Sequence, residues 1–507
     1  LSAAARGYRA AFLTQAWWRN LLAFTLGAAL NLGFAPFGWW PIALLAPAAL
    51  FALIRGLPPR RAGWVGAAFG VGLFAFGTYW IFICFHGYGL VPIWLTLFLQ
   101  AGLIAIMACY STLLCYLANR FWLKGGATRD WLVLPALWVL FEWLRGWLFS
   151  GFPWLSLGYA FPGSPLAGWA PLFGVYGISY AAAYIAVALH VVLWPAAPAA
   201  RRIVAAVVLG VAFLVPLAAS RVAWTQASGA AFPIAAVQAN ISQDSKWQAA
   251  NRDATFDRYA SLTAQAWGAR LIVWPESALP VLATDIPGYL SALQAAGRQH
   301  GADFAIGLIN DDPAKNEYYN GLRVLGPDGG WYYKRHLVPF GEYFPVPSFV
   351  RTWMRLHSLP YDDISAGSDH QPTLTAAGQK LGLTICYEDS YGSDQLRVLR
   401  EATLLINVTN DAWFGDSTAR HQHLQISRMR ALEAGRYLIR AANDGITALI
   451  GPQGQILAQA PGFQQAVLKG DVTPMRGLTP YARWGNYPVV IAAAALLAWG
   501  VRRRRTQ

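Results

Sequence analysis

Eight largely uncharged runs constrain this chain most, because runs of this kind read as helices that cross a hydrocarbon layer roughly 30 Å thick. Seven precede residue 221: Phe12–Phe34, Trp40–Ile54, Trp64–Phe85, Leu90–Leu117, Trp131–Leu148, Gly177–Trp194 and Ile203–Ala219. The eighth is Tyr487–Val501. The first two are separated only by the breaker Ala35-Pro36-Phe37-Gly38, and the charges decide that the chain turns back there. With that turn, Arg6/Arg9/Arg19, Arg55/Arg60/Arg61, Arg120/Lys124/Arg129, Arg201/Arg202 and Arg502–Arg505 all fall on one side. The loops between spans on the other side are almost free of Lys and Arg, as the positive-inside rule requires. Both termini are then expected in the cytoplasm, and the segment that follows Arg221 outside it. At 56% hydrophobic and 13% charged, with mean hydropathy +0.35, the chain is too apolar for one soluble globule of 507 residues.

A formal charge of +14 invites a nucleic-acid reading, but its distribution argues against one. Ser228–Gly485 holds 22 Lys+Arg and 23 Asp+Glu, whereas the remainder holds 17 and 2. The basic excess belongs to the apolar part, where it orients helices. Cys84, Cys109 and Cys115 lie in apolar segments and Cys386 stands alone in the polar one. Without a C-x-x-C spacing, and with no metal-like pairing among His86, His336, His421 and His423, neither a disulfide framework nor a metal site is expected. No cofactor is expected, and no cleavable signal peptide is evident.

Three regions follow: 1–227 and 486–507 as the membrane part, and 228–485 as a layered α/β domain. In the latter, Phe232–Gln238, Leu271–Trp274, Phe304–Leu308, Leu322–Leu325, Leu381–Ile385, Leu404–Val408 and Thr447–Ile450 read as strands. Ala250–Trp267, Tyr289–His300, Ser393–Glu401 and Ala419–Ala434 read as helices alternating with them.

The chemistry gathers where apolar runs stop. LGLTICYEDS (Leu381–Ser390) ends a strand in Cys386, then Tyr387, Glu388 and Asp389; LIVWPESALP ends one in Glu276; WYYKRHLVPFGEYFP carries Lys334 and Glu342. Open α/β sheets place reactive groups at such strand ends. A thiol is the best side-chain nucleophile near neutral pH and needs a base and an oxyanion donor. Glu276, beside Trp274 and Pro275, suits the base; Lys334 suits the donor; Glu342 and Glu388 suit supporting acids. Taken singly, each has an ordinary reading: a small buried hydrophobe, a helix-start carboxylate, half of a basic pair with Arg335, surface acids.

The ordered set Glu276, Lys334, Cys386 resembles the Glu-Lys-Cys triad of the nitrilase, or carbon–nitrogen hydrolase, superfamily. With its flanking helices the whole chain resembles that superfamily's membrane-bound apolipoprotein N-acyltransferase family. The resemblance includes FAPFGWWP at Phe34–Pro41, LRGWLFSGFPWL at Leu144–Leu155, VQANISQDSKW at Val237–Trp247, TNDAWFGDS at Thr409–Ser417 and RALEAGRYLIRAANDG at Arg430–Gly445. It implies an αββα sandwich joined to eight helices in a bacterial inner membrane, with the sandwich on the periplasmic face. It implies Glu276 as general base, Lys334 as oxyanion stabiliser and Cys386 as nucleophile, with Glu342, Trp247, Tyr387 and Glu388 in support. The reaction it implies is ping-pong: an acyl chain passes from a phospholipid, typically phosphatidylethanolamine, to a Cys386 thioester. From there it passes to the α-amine of a diacylglyceryl-cysteine apolipoprotein. A monomer is the expected state.

Two rival functions share parts of this pattern: a membrane-tethered amidase or nitrilase acting on a lipid-linked amide, and a transporter or scaffold whose outer domain only binds. Four local readings complete the expectations. Glu142 and Arg145, three residues apart, are expected to form an internal ion pair that fixes helix packing, and Phe149–Tyr176 an interfacial aromatic loop. Val346–Leu359 reads equally as a lid or a buried helix. Trp413 and Phe414 read first as core packing and second as a lid.

Overall fold

The computed structural model describes residues 3–89, 91–122, 126–193, 197–343 and 364–505, with side chains from residue 17 to residue 503. The chain divides into two compact units: Leu1–Ala223 with Asp416–Gln425 and Trp484–Gln507, and Trp224–Gly415 with Ile426–Arg483.

The first unit is helical. Its long helices are Ala3–Leu30, Trp40–Leu53, Pro59–Gly77, Ile93–Phe121, Leu134–Arg145, Ala170–Leu193, Ala199–Ala219 and Tyr487–Arg505. Proline in the first turn fixes where three of them begin, at Pro41, Pro59 and Pro135. Small residues bring helix backbones together: a Cβ on Gly27 would meet the Phe69 carbonyl oxygen at 2.0 Å, and one on Gly72 the Phe24 oxygen at 2.1 Å. Among the described residues, three segments are long and apolar enough to cross a membrane by themselves: Ile93–Phe121, Pro165–Leu193 and Ala199–Ala219. The bent pair Pro59–Gly77 and Trp80–Tyr88 makes up to four. The other expected spans fall short of that standard for visible reasons. Trp40–Leu53 has 14 residues, Leu134–Arg145 has 12 and carries two charges, Ala3–Leu30 carries Arg6, Arg9 and Arg19, and Tyr487–Arg505 ends in a run of arginines.

Glu142 and Arg145 fix a loop more than a helix pair. Glu142 Oε1 accepts from Trp138 Nε1 and from the Leu157 backbone N–H, both at 2.9 Å. Arg145 donates to the Phe152 and Trp154 carbonyls, each at 2.6 Å, and to Ser156 Oγ at 3.2 Å. That clamp draws Trp154, Leu157, Tyr159 and Phe161 into the interior. The expected interfacial loop is therefore mostly core, with Phe149 at its start left exposed. Segment Asp416–Gln425 is held within the same unit, with Trp154 Nε1 donating to Gln422 Oε1 at 2.7 Å and Ala35 N–H to Gln425 Oε1 at 3.0 Å.

The second unit begins with a two-residue strand, β1 (Gln226–Ala227), paired to β14 (Met475–Arg476). Two six-stranded sheets follow. One has the order β13-β2-β3-β4-β5-β6, from β2 (Phe232–Gln238), β3 (Leu271–Trp274), β4 (Asp303–Asp312), β5 (Glu317–Leu325), β6 (Gly330–Tyr333) and β13 (Ala466–Val472). The other has the order β12-β11-β10-β9-β8-β7, from β7 (Thr375–Ala376), β8 (Gln379–Ile385), β9 (Leu404–Thr409), β10 (Leu438–Ala442), β11 (Ala448–Ile450) and β12 (Ile456–Gln459). β2, β3 and β4 run parallel, as do β8, β9 and β10.

The two-residue period of a strand explains the layering. Ile234, Ala236, Leu271 and Val273 pack with Leu381, Leu383, Ile385, Leu404 and Ile406 in a core between the sheets. Ala235, Val237, Ile272 and Trp274, on the opposite face, pack with Tyr259 and Leu262 of helix Arg252–Ala266. Burying the central strands β3, β9 and β10 on both faces, with most of β2 and β8, produces the uninterrupted apolar runs seen in the sequence. All seven expected strands are present. The expected helix Ser393–Glu401 is instead two short pieces, Gly392–Gln395 and Val398–Arg400, as befits a nine-residue stretch that must bear the cost of helix nucleation.

Candidate active site

Cys386 follows the last residue of β8 with a left-handed backbone, φ +53°, a conformation unfavourable by roughly 1–3 kcal/mol for a residue with a Cβ. Its surroundings hold it there. The Glu388 carboxylate accepts from the backbone N–H of Ile385 (2.8 Å), Arg335 (2.7 Å) and His336 (3.3 Å), and from the Tyr332 hydroxyl at 3.0 and 3.1 Å. This acid ties the end of β8 to the segment that leaves β6. The Cys386 carbonyl accepts from Asn407 Nδ2 at 3.3 Å.

Lys334 is the first residue past β6 and is buried, 1% exposed. Its backbone N–H donates to the Asn320 carbonyl at 2.9 Å, continuing the sheet. Its Nζ lies 2.9 Å from Glu342 Oε1 and 3.5 Å from Glu276 Oε1. Glu276, just beyond β3 and 5% exposed, accepts from Asn320 Nδ2 at 2.7 Å and from the Asn410 backbone N–H at 2.9 Å. Glu342 accepts from Asn320 Nδ2 at 2.9 Å and from the Val338 N–H at 2.8 Å. Asn320, unmarked in the sequence because it lies inside β5, thus bridges both carboxylates.

The electrostatics follow from burial and pairing. For Lys334 burial opposes the charge, but Glu342, Glu276 and Cys386 outweigh it and raise its pKa above the usual lysine range. The Cys386 thiol is pushed well up by burial and by Glu276; Lys334 and a hydrogen bond with Thr409 pull the other way. Burial also raises Glu388, against the N–H donors and Arg335 that favour its anion. At rest the thiol keeps its proton, so attack requires a base at hand.

Beneath Asn407 lies a buried charge cluster absent from the sequence reading. Arg440 Nη2 lies 2.8 Å from Asp411 Oδ2, Nη1 lies 3.6 Å from Asp389 Oδ2, and Nη1 donates to Asn407 Oδ1 at 2.7 Å. Of the remaining expected residues, Tyr387 is buried among rings, its hydroxyl accepting from Tyr391 Oη at 3.2 Å. Trp247 is 53% exposed and lies beside Lys246. Trp413 is 41% exposed, which overturns core packing as its role. Val346–Leu359 lies outside the described residues. Among the described residues no group of three or more His, Cys, Asp and Glu side chains is arranged to hold a metal ion.

Two stacked sheets that gather a thiol, two carboxylates and an ammonium define a carbon–nitrogen hydrolase domain, and residues 233–481 match the Carbon-nitrogen hydrolase family model. Solved structures to which the chain is similar include Saccharomyces cerevisiae Nit3 (TM-score 0.38, 19% identity, 49% of this chain and 93% of that one). Another is a carbon–nitrogen hydrolase from Helicobacter pylori (TM-score 0.38, 18% identity, 54% and 94%). Residues 26–188 match a second model, the Apolipoprotein N-acyltransferase N-terminal domain. Apolipoprotein N-acyltransferases of Methylococcus capsulatus and Azotobacter vinelandii are 41% and 42% identical to this chain. The first match covers 96% of both chains, the second 97% of this chain and 96% of its relative. The chain belongs to the apolipoprotein N-acyltransferase family and is a membrane protein.

Proposed function

We propose that the chain transfers an acyl group from a phospholipid, phosphatidylethanolamine in the first instance, to the α-amine of a diacylglyceryl-cysteine apolipoprotein. Glu276 takes the Cys386 proton as sulfur attacks the ester carbonyl, and Lys334 holds the developing oxyanion. Collapse gives the thioester and a lysophospholipid, which receives the proton from Glu276. The lipoprotein amine then attacks the thioester, forming the amide and restoring the thiol. Glu342 keeps Lys334 charged and aimed, Glu388 sets the Cys386 turn, Tyr387 packs beneath it, and exposed Trp247 contacts a substrate.

The reading extends to the membrane. Residues 1–227 and 486–507 supply eight spans in a bacterial inner membrane, with both termini cytoplasmic and residues 228–485 on the periplasmic face; the protein acts as a monomer. The observation that carries the chemistry is the cluster of buried Glu276 and Lys334 with half-buried Glu342, in electrostatic reach of a thiol that is protonated at rest.

Intact-protein mass spectrometry after incubation with phosphatidylethanolamine vesicles tests it. The expected result is a mass gain of one acyl chain, reversed by hydroxylamine and absent from Cys386→Ala. Release of free fatty acid without an adduct would make the protein a lipid hydrolase instead.

A further inference from the structure

The acyl-transfer reading, on which this inference rests, asks Lys334 for an N–H group that nothing else holds. In both half-reactions, the attack of sulfur on the ester and of the amine on the thioester, a carbonyl oxygen becomes an oxyanion. An ammonium has three N–H groups to offer. Lys334 Nζ lies beside two carboxylates, and either could draw those groups to itself.

The distances show how the donors are divided. Nζ donates to Glu342 Oε1 at 2.9 Å, its sole hydrogen bond among the described residues. Glu276 Oε1, at 3.5 Å, is an ion-pair partner beyond the usual hydrogen-bond range. That oxygen takes its hydrogen bond from Asn320 Nδ2 instead, at 2.7 Å, while Oε2 takes the Asn410 backbone N–H at 2.9 Å. The same Asn320 amide, which has two N–H groups, also donates to Glu342 Oε1 at 2.9 Å, and Glu342 Oε2 takes the Val338 N–H at 2.8 Å. Every oxygen of the two carboxylates therefore has a donor, and the ammonium has committed only one of its three.

The sheet is arranged for this reach. β4 lies between β3, which delivers Glu276, and β5, which carries Asn320. Glu276 passes over β4 at Gly307. A Cβ there would meet the Pro275 carbonyl oxygen at 2.4 Å and Glu276 Cα at 2.6 Å, and the Gly307 carbonyl accepts from the Ala278 N–H at 2.7 Å. On its other side the Asn320 carbonyl accepts the Lys334 N–H at 2.9 Å, so amide and lysine are fixed to each other through the backbone. Asn320 is 4% exposed, which keeps bulk water from serving the carboxylates in its place.

We propose that Asn320 is a positioning residue that keeps Lys334 free for the oxyanion: its two amide N–H groups satisfy Glu276 and Glu342, so that the lysine need not. Without the amide, Glu276 Oε1 is a buried anionic oxygen short of a donor, with a cation already 3.5 Å away. The ammonium closes on it and commits an N–H group that the oxyanion needs. Glu276 then has as many donors as before, so removal of the thiol proton is little affected.

The test compares wild type, Asn320→Ala and Asn320→Asp as full-length protein in nanodiscs containing phosphatidylethanolamine. The aspartate keeps the shape of the side chain and removes both N–H groups. Unfolding temperatures establish that each is folded, and Asn320→Ser, for which a smaller loss of the same sign is expected, replaces any variant that is not. Thioester formation, read by intact-protein mass spectrometry, is expected to slow about a hundredfold in both variants. Its dependence on the mole fraction of phosphatidylethanolamine is expected to stay as in the wild type. Discharge of the thioester by hydroxylamine, which also passes through an oxyanion, should slow comparably. Alkylation of Cys386 by iodoacetamide, a displacement at a saturated carbon that forms no oxyanion, should proceed at the wild-type rate.

Thioester formation at the wild-type rate in a folded variant would overturn the proposal. Equal slowing of alkylation and acylation would overturn it too, because Asn320 would then act on the thiol, the base or the fold and not through Lys334. A wild type that is alkylated at Cys386 but forms no thioester would sink the acyl-transfer reading itself, and this inference with it.

Discussion

Lys334 and Lys246 are both buried and both feel the charge of Glu276, yet burial has opposite outcomes for them. Lys334 has two carboxylates within 3.5 Å, and its pKa in the fold lies above its unfolded value of 10.5. The stability this contributes is complete below about pH 10.5 and is lost only as pH rises through the higher folded value. It is therefore level across the neutral range. Lys334→Met leaves buried Glu276 and half-buried Glu342 without a cation and is expected to destabilise the protein by about 3–5 kcal/mol, read as a lower unfolding temperature, and to abolish the thioester. Lys246 lies on the other side of the balance, about 8 in the fold against 10.5 unfolded. Keeping it charged opposes folding by on the order of 3 kcal/mol below about pH 8, a penalty that fades as pH rises toward 10.5. Lys246→Met is expected to raise the unfolding temperature near pH 7, with the gain shrinking as pH approaches 10. A gain constant with pH would mean that the side chain is neutral throughout.

Strand ends, not strands, carry the site, and that determines what was legible in the sequence. Apolar runs closed by Glu276 and by Cys386 announce themselves, because a strand buried on both faces has little that is polar until it leaves the sheet, whereas Lys334 follows the half-buried aromatic run of β6. Asn320 gave no such signal: an asparagine within β5 looks like any strand residue, and its bridging of Glu276 and Glu342 exists only after β5 and β6 pair. β10 was hidden differently. Arg440 in its middle breaks the apolar pattern, and the residues before it continue a helical period until Gly435, at φ +62°, ends the helix. Only Asp389 and Asp411, remote in sequence, make a buried arginine tolerable there. Glu388 was legible as an acid near the thiol but not as the tie between β6 and β8. An amide would turn N–H groups toward donors that now find a carboxylate. Glu388→Gln is expected to cost about 1.5–3 kcal/mol per charge-assisted bond lost and to suppress thioester formation, because the Cys386 turn loses its anchor. Normal acylation with a lowered unfolding temperature would confine Glu388 to stability.

Which side of the membrane holds residues 228–485 depends on the parity of the crossings before them. Three of the preceding helices qualify alone and a bent fourth qualifies as a pair, and three and four crossings put the following residues on opposite sides. Hydropathy leaves both counts open, and the charge pattern favours the odd count proposed above. Arg55, Arg60 and Arg61, then Arg120, Lys124 and Arg129, then Arg201 and Arg202 recur at every second turn of the chain, and the intervening loops carry almost no cation. The proposal therefore counts the short segments Trp40–Leu53 and Leu134–Arg145 as crossings as well. On that count seven crossings precede residue 221, and Tyr487–Arg505, closed by Arg502–Arg505, is the eighth. Single cysteines at Ser228 and Gln507, with Cys84, Cys109, Cys115 and Cys386 replaced, make this measurable with a membrane-impermeant maleimide on intact spheroplasts. Ser228→Cys is expected to react at once, and Gln507→Cys only after permeabilisation. Reaction of both in intact cells would remove the last crossing, and protection of Ser228→Cys would make the earlier count even. That second outcome would put the thiol in the reducing cytoplasm, on the side of the membrane where the arginines lie.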